Sequence, residues 1–189
     1  MVQRLMVWPK RLPASLEGLS EQVAAQLAVD DVVTLDDLSS LASQRSSGHD
    51  ALVVVIDAAV AAGHAAADVV ASVTALRDHE HLDVVAVVGD GYLGTDHADV
   101  GASVAGAAAV ATMRSMATRR DASGRANVVA IPDGLFDRDG VHRGPLKQAV
   151  EAIDVVNAVA FFLSEEGGYL NGQVLFVDSG RQVFSSMSA

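Results

Sequence analysis

Six short stretches of the chain are rich in β-branched and other apolar residues and show no strict alternation: Leu5–Trp8, Asp31–Leu35, Leu52–Ile56, Val84–Val88, Asn127–Ile131 and Gln173–Val177. A strand covered on both faces loses the period-two pattern of a half-exposed one, so such runs predict parallel strands between two helix layers. Segments with helical spacing separate them. From Ser15 to Ala28 the apolar positions Leu16, Leu19, Val23 and Leu27 form one stripe, with Ser15 as the expected N-cap and Gly18 as a weak interior point. Further helices are expected at about Asp37–Gln44, Ala65–Asp78, Ala98–Arg119 and Leu146–Leu163. The pattern predicts an α/β, doubly wound parallel sheet of about six strands. No linker composition interrupts it, so residues 1–189 are expected to form one domain.

The helix beginning near Ala98 is unusually lean. Gly101, Ala102, Ser103, Ala105, Gly106, Ala107, Ala108 and Ala109 leave little side-chain bulk, which suits close approach of a partner helix on one face and the sheet on the other. An Ala-rich helix inside a monomer core is the plainer reading.

Composition narrows the function classes. Half of the 189 residues are apolar and 20% are charged, enough for a sizeable core and against disorder. Thirteen Lys+Arg against 24 Asp+Glu give a formal charge of −11, which repels phosphate backbones and anionic headgroups, so nucleic-acid and membrane-surface roles are not expected. With no cysteine there are no disulfides, thiolate nucleophiles or Cys-ligated metals. Leu5-Met6-Val7-Trp8 stops at Pro9, too short for a secretory core. The Ala/Val stretch from Ala51 to Val73 is interrupted by Asp57, His64 and Asp68, which argues against a membrane span. A cytoplasmic protein is expected.

From Ala126 onward the residues resemble a known family. Ala126-Asn127-Val128-Val129-Ala130-Ile131-Pro132-Asp133-Gly134 is similar to the sixth strand and Pro-Gly turn of short-chain dehydrogenases/reductases. Ala152 to Ser164 resembles the helix before that family's last strand. Asn171-Gly172-Gln173-Val174-Leu175-Phe176-Val177-Asp178-Ser179-Gly180 resembles its closing Thr-Gly-Gln-x-x-x-Val-Asp-Gly-Gly. A weaker likeness runs back through Gly101–Ala107, the start of the active-site helix, to Ala51–Val60.

The resemblance implies a catalytic Tyr-x-x-x-Lys pair, in which the tyrosine hydroxyl transfers the proton and the lysine one turn away lowers its pKa. Aligned through Ala102-Ser103, these positions are Val100 and Val104, which can do neither. The family's assisting serine falls at Gly89 or Asp90, and a carboxylate there opposes a developing oxyanion. Tyr92 is the one nearby tyrosine, with Asp96 four residues on. The family's cofactor turn is glycine-rich so that backbone N–H groups can approach a pyrophosphate. Here Trp8-Pro9-Lys10-Arg11-Leu12-Pro13-Ala14-Ser15 holds no glycine. The short interval between Ala28 and Leu52 also implies that one β-α unit of the nucleotide half is missing.

These readings lead to the expectation of a truncated, degenerate relative with no catalytic residues and no cofactor. Such a chain would act as an oligomeric subunit, homomeric or paired with a catalytic paralogue, through Ala65–Asp78, Ala98–Arg119, Leu146–Leu163 and Gln173–Val177. The alternative is an active NAD(P)-dependent oxidoreductase with Tyr92 or Asp90 in new roles. No metal site is expected: His79-Glu80-His81 reads as a solvated turn at a helix end, and Asp133, Asp137 and Asp139 as a solvated loop.

Overall fold

The structure, a computed structural model, describes residues 2–9, 12, 14–35, 49–56, 81–89, 100–118, 124–132, 145–146 and 148–181. Within these, strand β1 spans Arg4–Trp8, helix α1 Leu19–Leu27, β2 Asp31–Thr34, β3 Asp50–Ile56 and β4 Leu82–Gly89. Helix α2 then spans Val100–Ala117, β5 Ala126–Ile131, α3 Ala152–Leu163 and β6 Val174–Phe176. All pairings are parallel, and the sheet order is β2-β1-β3-β4-β5-β6. This is the Rossmann-like α/β sheet that the apolar runs predict.

The register explains the runs. Arg4 pairs with Asp50, Asp50 with Leu82, and Val84 with Ala126, so even-numbered residues of four neighbouring strands share one face. Met6, Leu52, Val54, Val84, Ala86 and Val128 form that face and pack under Ala109, Val110, Met113 and Met116 of α2. The odd-numbered set, including Leu5, Val53, Val55, Val87 and Val129, meets Leu19 and Val23 of α1 and Val155, Val159 and Phe162 of α3. With both faces covered, every residue of β3 and β5 is buried.

Helix boundaries differ from the sequence expectation in two places. A short 3-10 turn at Ala14–Leu16 precedes α1, whose N-cap is Gly18 at φ +81°, not Ser15. The third helix begins at Ala152, not at Leu146. There Glu151 and Asp154 form a reciprocal capping box, each side chain accepting the other residue's backbone N–H. Residues 148–150 are not helical: Ser179 Oγ donates to the Gln148 carbonyl (2.8 Å), and Leu146 N–H donates to Ser179 O (3.3 Å). The helices expected at Asp37–Gln44 and Ala65–Asp78 lie outside the described residues.

The last strand is fixed by two asparagines. Buried Asn127 donates to Leu170 O (2.9 Å) and accepts from Gln173 N–H (3.0 Å). Asn171 accepts from Ala126 N–H (2.9 Å) and donates to Ala117 O (3.1 Å), tying the end of α2 to the entry of β6. Gly172, at φ +72° and with a Cβ position 3.1 Å from Ala117 Cβ, makes the turn between them.

Candidate functional site

In an open parallel sheet, ligands bind beyond the carboxyl ends of the strands, where the strand order reverses. Here that place follows β1, which lies between β2 and β3, so the crevice opens beyond Trp8 and Ile56. Trp8 closes β1 and is 4% exposed, packed among Met6, Leu35 and Ile56 on the α2 side of the sheet. Ile131 and Gly89 are the paired last residues of β5 and β4 on the same edge.

Helix α1 starts close after this edge, and its start changes the cofactor reading. Gly18 holds a left-handed backbone at the N-cap and its carbonyl accepts from Gln22 N–H (3.0 Å). Leu19, Ser20 and Glu21 occupy the first turn, whose N–H groups have no intrahelical partner and whose end carries the positive pole of the helix. A glycine at the start of the helix after β1 is a component of a pyrophosphate-binding turn. Sequence reading missed Gly18 by starting the helix three residues early; its signal was a glycine just before Leu19 and Val23, the first pair of the buried stripe.

The positions implied for catalysis are placed as follows. Val100 is the first residue of α2 and Val104 lies one turn later, 51% exposed. Ser103, beside it, is half-buried. Gly89 ends β4; Asp90, Tyr92 and Asp96 lie outside the described residues. The buried side of α2 faces β4 and β5, whereas Val104, Ala107, Ala111 and Arg114 are exposed. Of the triplet His79-Glu80-His81, only His81 is described, at φ +58° in the turn before β4. Asp133, Asp137 and Asp139 also lie outside the described residues. Among the described residues no three His, Asp or Glu side chains come together as metal ligands, and no helix is long and apolar enough to cross a membrane.

Sheet order, edge and helix placement define a doubly wound dinucleotide-type fold. Solved structures narrow it: the chain has the fold of the short-chain dehydrogenases/reductases. It is similar to levodione reductase, with a TM-score of 0.69 and 15% identity over 96% of this chain and 98% of that one. A short-chain glucose/ribitol dehydrogenase from Brucella melitensis gives 0.64 and 16% over 95% and 98%. The enoyl-[acyl-carrier-protein] reductase (NADH) from Aquifex aeolicus VF5 gives 0.70 and 16% over 96% and 97%. No protein-family model and no curated protein sequence matches.

One expectation is corrected by these likenesses. The absence of a glycine between Trp8 and Ser15 led to the expectation of no cofactor, yet the structures sharing this fold over nearly the whole chain are reductases and dehydrogenases, one named for NADH. The physical reason is that a nucleotide crevice depends on parallel strand ends and a helix start as well as on the turn's composition, and this chain has both.

Proposed function

We propose that this chain is a short-chain dehydrogenase/reductase-like subunit that works through its assembly and not through the family's proton-transfer pair, with a nicotinamide nucleotide as the ligand of its crevice. The observation that carries the reading is Val104. It stands half-exposed one helical turn from Val100, where the resemblance requires a lysine ammonium beside a tyrosine hydroxyl. An isopropyl group neither carries charge nor moves a proton.

Exposed apolar residues support assembly. Val104 on α2, Ile153 (45% exposed) and Phe161 (42%) on α3, and Leu175 on β6 lie on the elements that the family uses between subunits. Burying them against a second copy or a catalytic paralogue removes apolar surface from water at about 25 cal/mol per Å2. The nucleotide part rests on Gly18 at the start of α1 and on the NADH reductase among the similar structures.

Two measurements test the reading. Native co-purification from the producing cell is expected to give a multi-subunit species, and the purified chain is expected to quench the fluorescence of Trp8, its sole tryptophan, saturably on addition of NADH or NADPH while oxidising neither. A monomer that turns cofactor over overturns it. The second reading, an active oxidoreductase with a rearranged site, is favoured by the reductases among the similar structures. It predicts turnover that Tyr92→Phe abolishes without loss of cofactor binding.

A further inference from the structure

The edge of the sheet opposite the crevice carries a second hollow. A cavity of about 500 Å3 opens at the amino ends of the strands, between the carboxyl ends of α1 and α3. Val2, Leu27 and Leu163 give it apolar walls, and His49, Arg125, Glu165 and Glu166 surround them. His49 and Arg125 immediately precede β3 and β5, which fixes the cavity to the start of the sheet. Its volume is in the range of small-molecule sites, ~300–1,000 Å3.

The Arg125 guanidinium beside it is already matched. Arg125 donates through Nε (3.0 Å) and one terminal nitrogen to Asp83 Oδ2, and its backbone N–H donates to Asp83 Oδ1 (2.7 Å). The same guanidinium reaches the Ser164 and Leu163 carbonyls at the end of α3 (3.3 and 3.4 Å). His49 Nε2 lies 3.1 Å from the same Asp83 oxygen, and the Asp83 side chain is 2% exposed. Asp83 is thus a buried carboxylate that neutralises the Arg125 guanidinium.

What remains is negative. Glu165 and Glu166 have no cation among the salt bridges of the described residues. The Glu166 carboxyl is held below its ordinary range by Ser164 and by its own backbone N–H. Two helices end here, α1 with Ala28 in the left-handed region at its C-cap and α3 at Ser164; Arg125 already meets the last carbonyls of α3, so the negative dipole end left to a ligand is that of α1. An anion therefore meets two carboxylates and the carboxyl end of α1, whereas a cation with an apolar tail meets complementary surfaces at both of its ends.

We propose that this cavity binds a small primary ammonium carrying a short alkyl or aryl chain, the chain against Leu27 and Leu163 and the ammonium toward Glu165 and Glu166. The site is separate from the crevice at the opposite edge and does not depend on how that crevice is used.

Heteronuclear NMR of the backbone amides of the full chain, titrated with n-hexylammonium chloride, tests this. Shifts at Ala28, Arg125 and Glu166 are expected to saturate. Methylammonium is expected to bind at least about tenfold more weakly, because it lacks the methylenes that meet the apolar walls. Glu165→Gln combined with Glu166→Gln, both at exposed positions, is expected to lower hexylammonium affinity about tenfold while leaving the fold intact. Equal shifts with hexanoate, methylammonium binding as tightly as hexylammonium, or an unchanged affinity in the double variant would each overturn the proposal.

Discussion

At the residue scale, the most consequential side chains are those whose environment leaves no substitute. Asp83 receives Arg125 twice through its guanidinium and once through its backbone, with His49 alongside, in a position that is almost fully buried. Asp83→Ala leaves a largely buried guanidinium without its counter-charge, and is expected to cost ~3 kcal/mol, read as a lowered urea midpoint. Gly124 is constrained sterically: a Cβ there would sit 2.1 Å from Leu82 O, a backbone atom that cannot swing away. Gly124→Ala is expected to destabilise by about 2–4 kcal/mol and to open the β4–β5 start, visible as faster amide exchange at Val84, whose N–H donates to Arg125 O (2.7 Å). Neither residue was singled out from the sequence. An aspartate at the head of an apolar run reads as a strand boundary, because its partners come from 34 residues before and 42 residues after it along the chain.

At the element scale, the strands were highly legible and the helix starts were not. All six strands fall within two residues of their apolar runs, since burial on both faces leaves the same mark on each. Helix starts depend on caps, and the residues that cap here are atypical ones: Gly18 through its φ, and Glu151 in place of the usual Ser or Thr. The false start at Leu146 lies in a segment that hydrogen bonds to Ser179 hold against the strand end. Much of the candidate site was hidden for the same reason, because Gly18 has meaning only once α1 is known to begin at Leu19. The placement of Val100 and Val104 on one helix, in contrast, was legible from the sequence. Strand β6 yields a prediction of its own. It is three residues long, and Asn127→Ala would remove both side-chain bonds that position its entry, leaving Leu170 O and Gln173 N–H without them. The expected loss is ~2 kcal/mol, concentrated in β6, with hydrogen-exchange protection falling at Val174–Phe176 before it falls in β4.

At the scale of the whole molecule, the proposed assembly is the property to test. Phe161 is 42% exposed on the outer side of α3, next to buried Phe162. Phe161→Glu adds a charge where a subunit contact is proposed and gives up one tilted ring contact with Phe162 (centroids 6.0 Å apart). The expected outcome is a smaller species by size-exclusion chromatography with light scattering and a far-UV circular dichroism spectrum that does not change. An unaltered mass would remove α3 from the interface. The net charge of −11 adds to the selectivity of any such contact, since two copies repel one another unless apolar area outweighs their charge. Raising the salt concentration is therefore expected to strengthen a homomeric contact.

The all-parallel sheet also sets the order in which the chain can become a protein. No two neighbouring strands are joined by a hairpin. Arg4 pairs with Asp31 and with Asp50, Asp50 with Leu82, Val84 with Ala126 and Val128 with Val174, so each pairing closes a long loop before it gains any hydrogen bonds. Folding of such a topology is slow, and β6 can join only after β5 has been made. A nascent chain not yet extended through Gln173 has β5 without its outer neighbour and Asn127 without Gln173. The apolar edge of β5 is thus open until β6 has been made, and the time spent in that state bears on how much of the protein reaches its folded form.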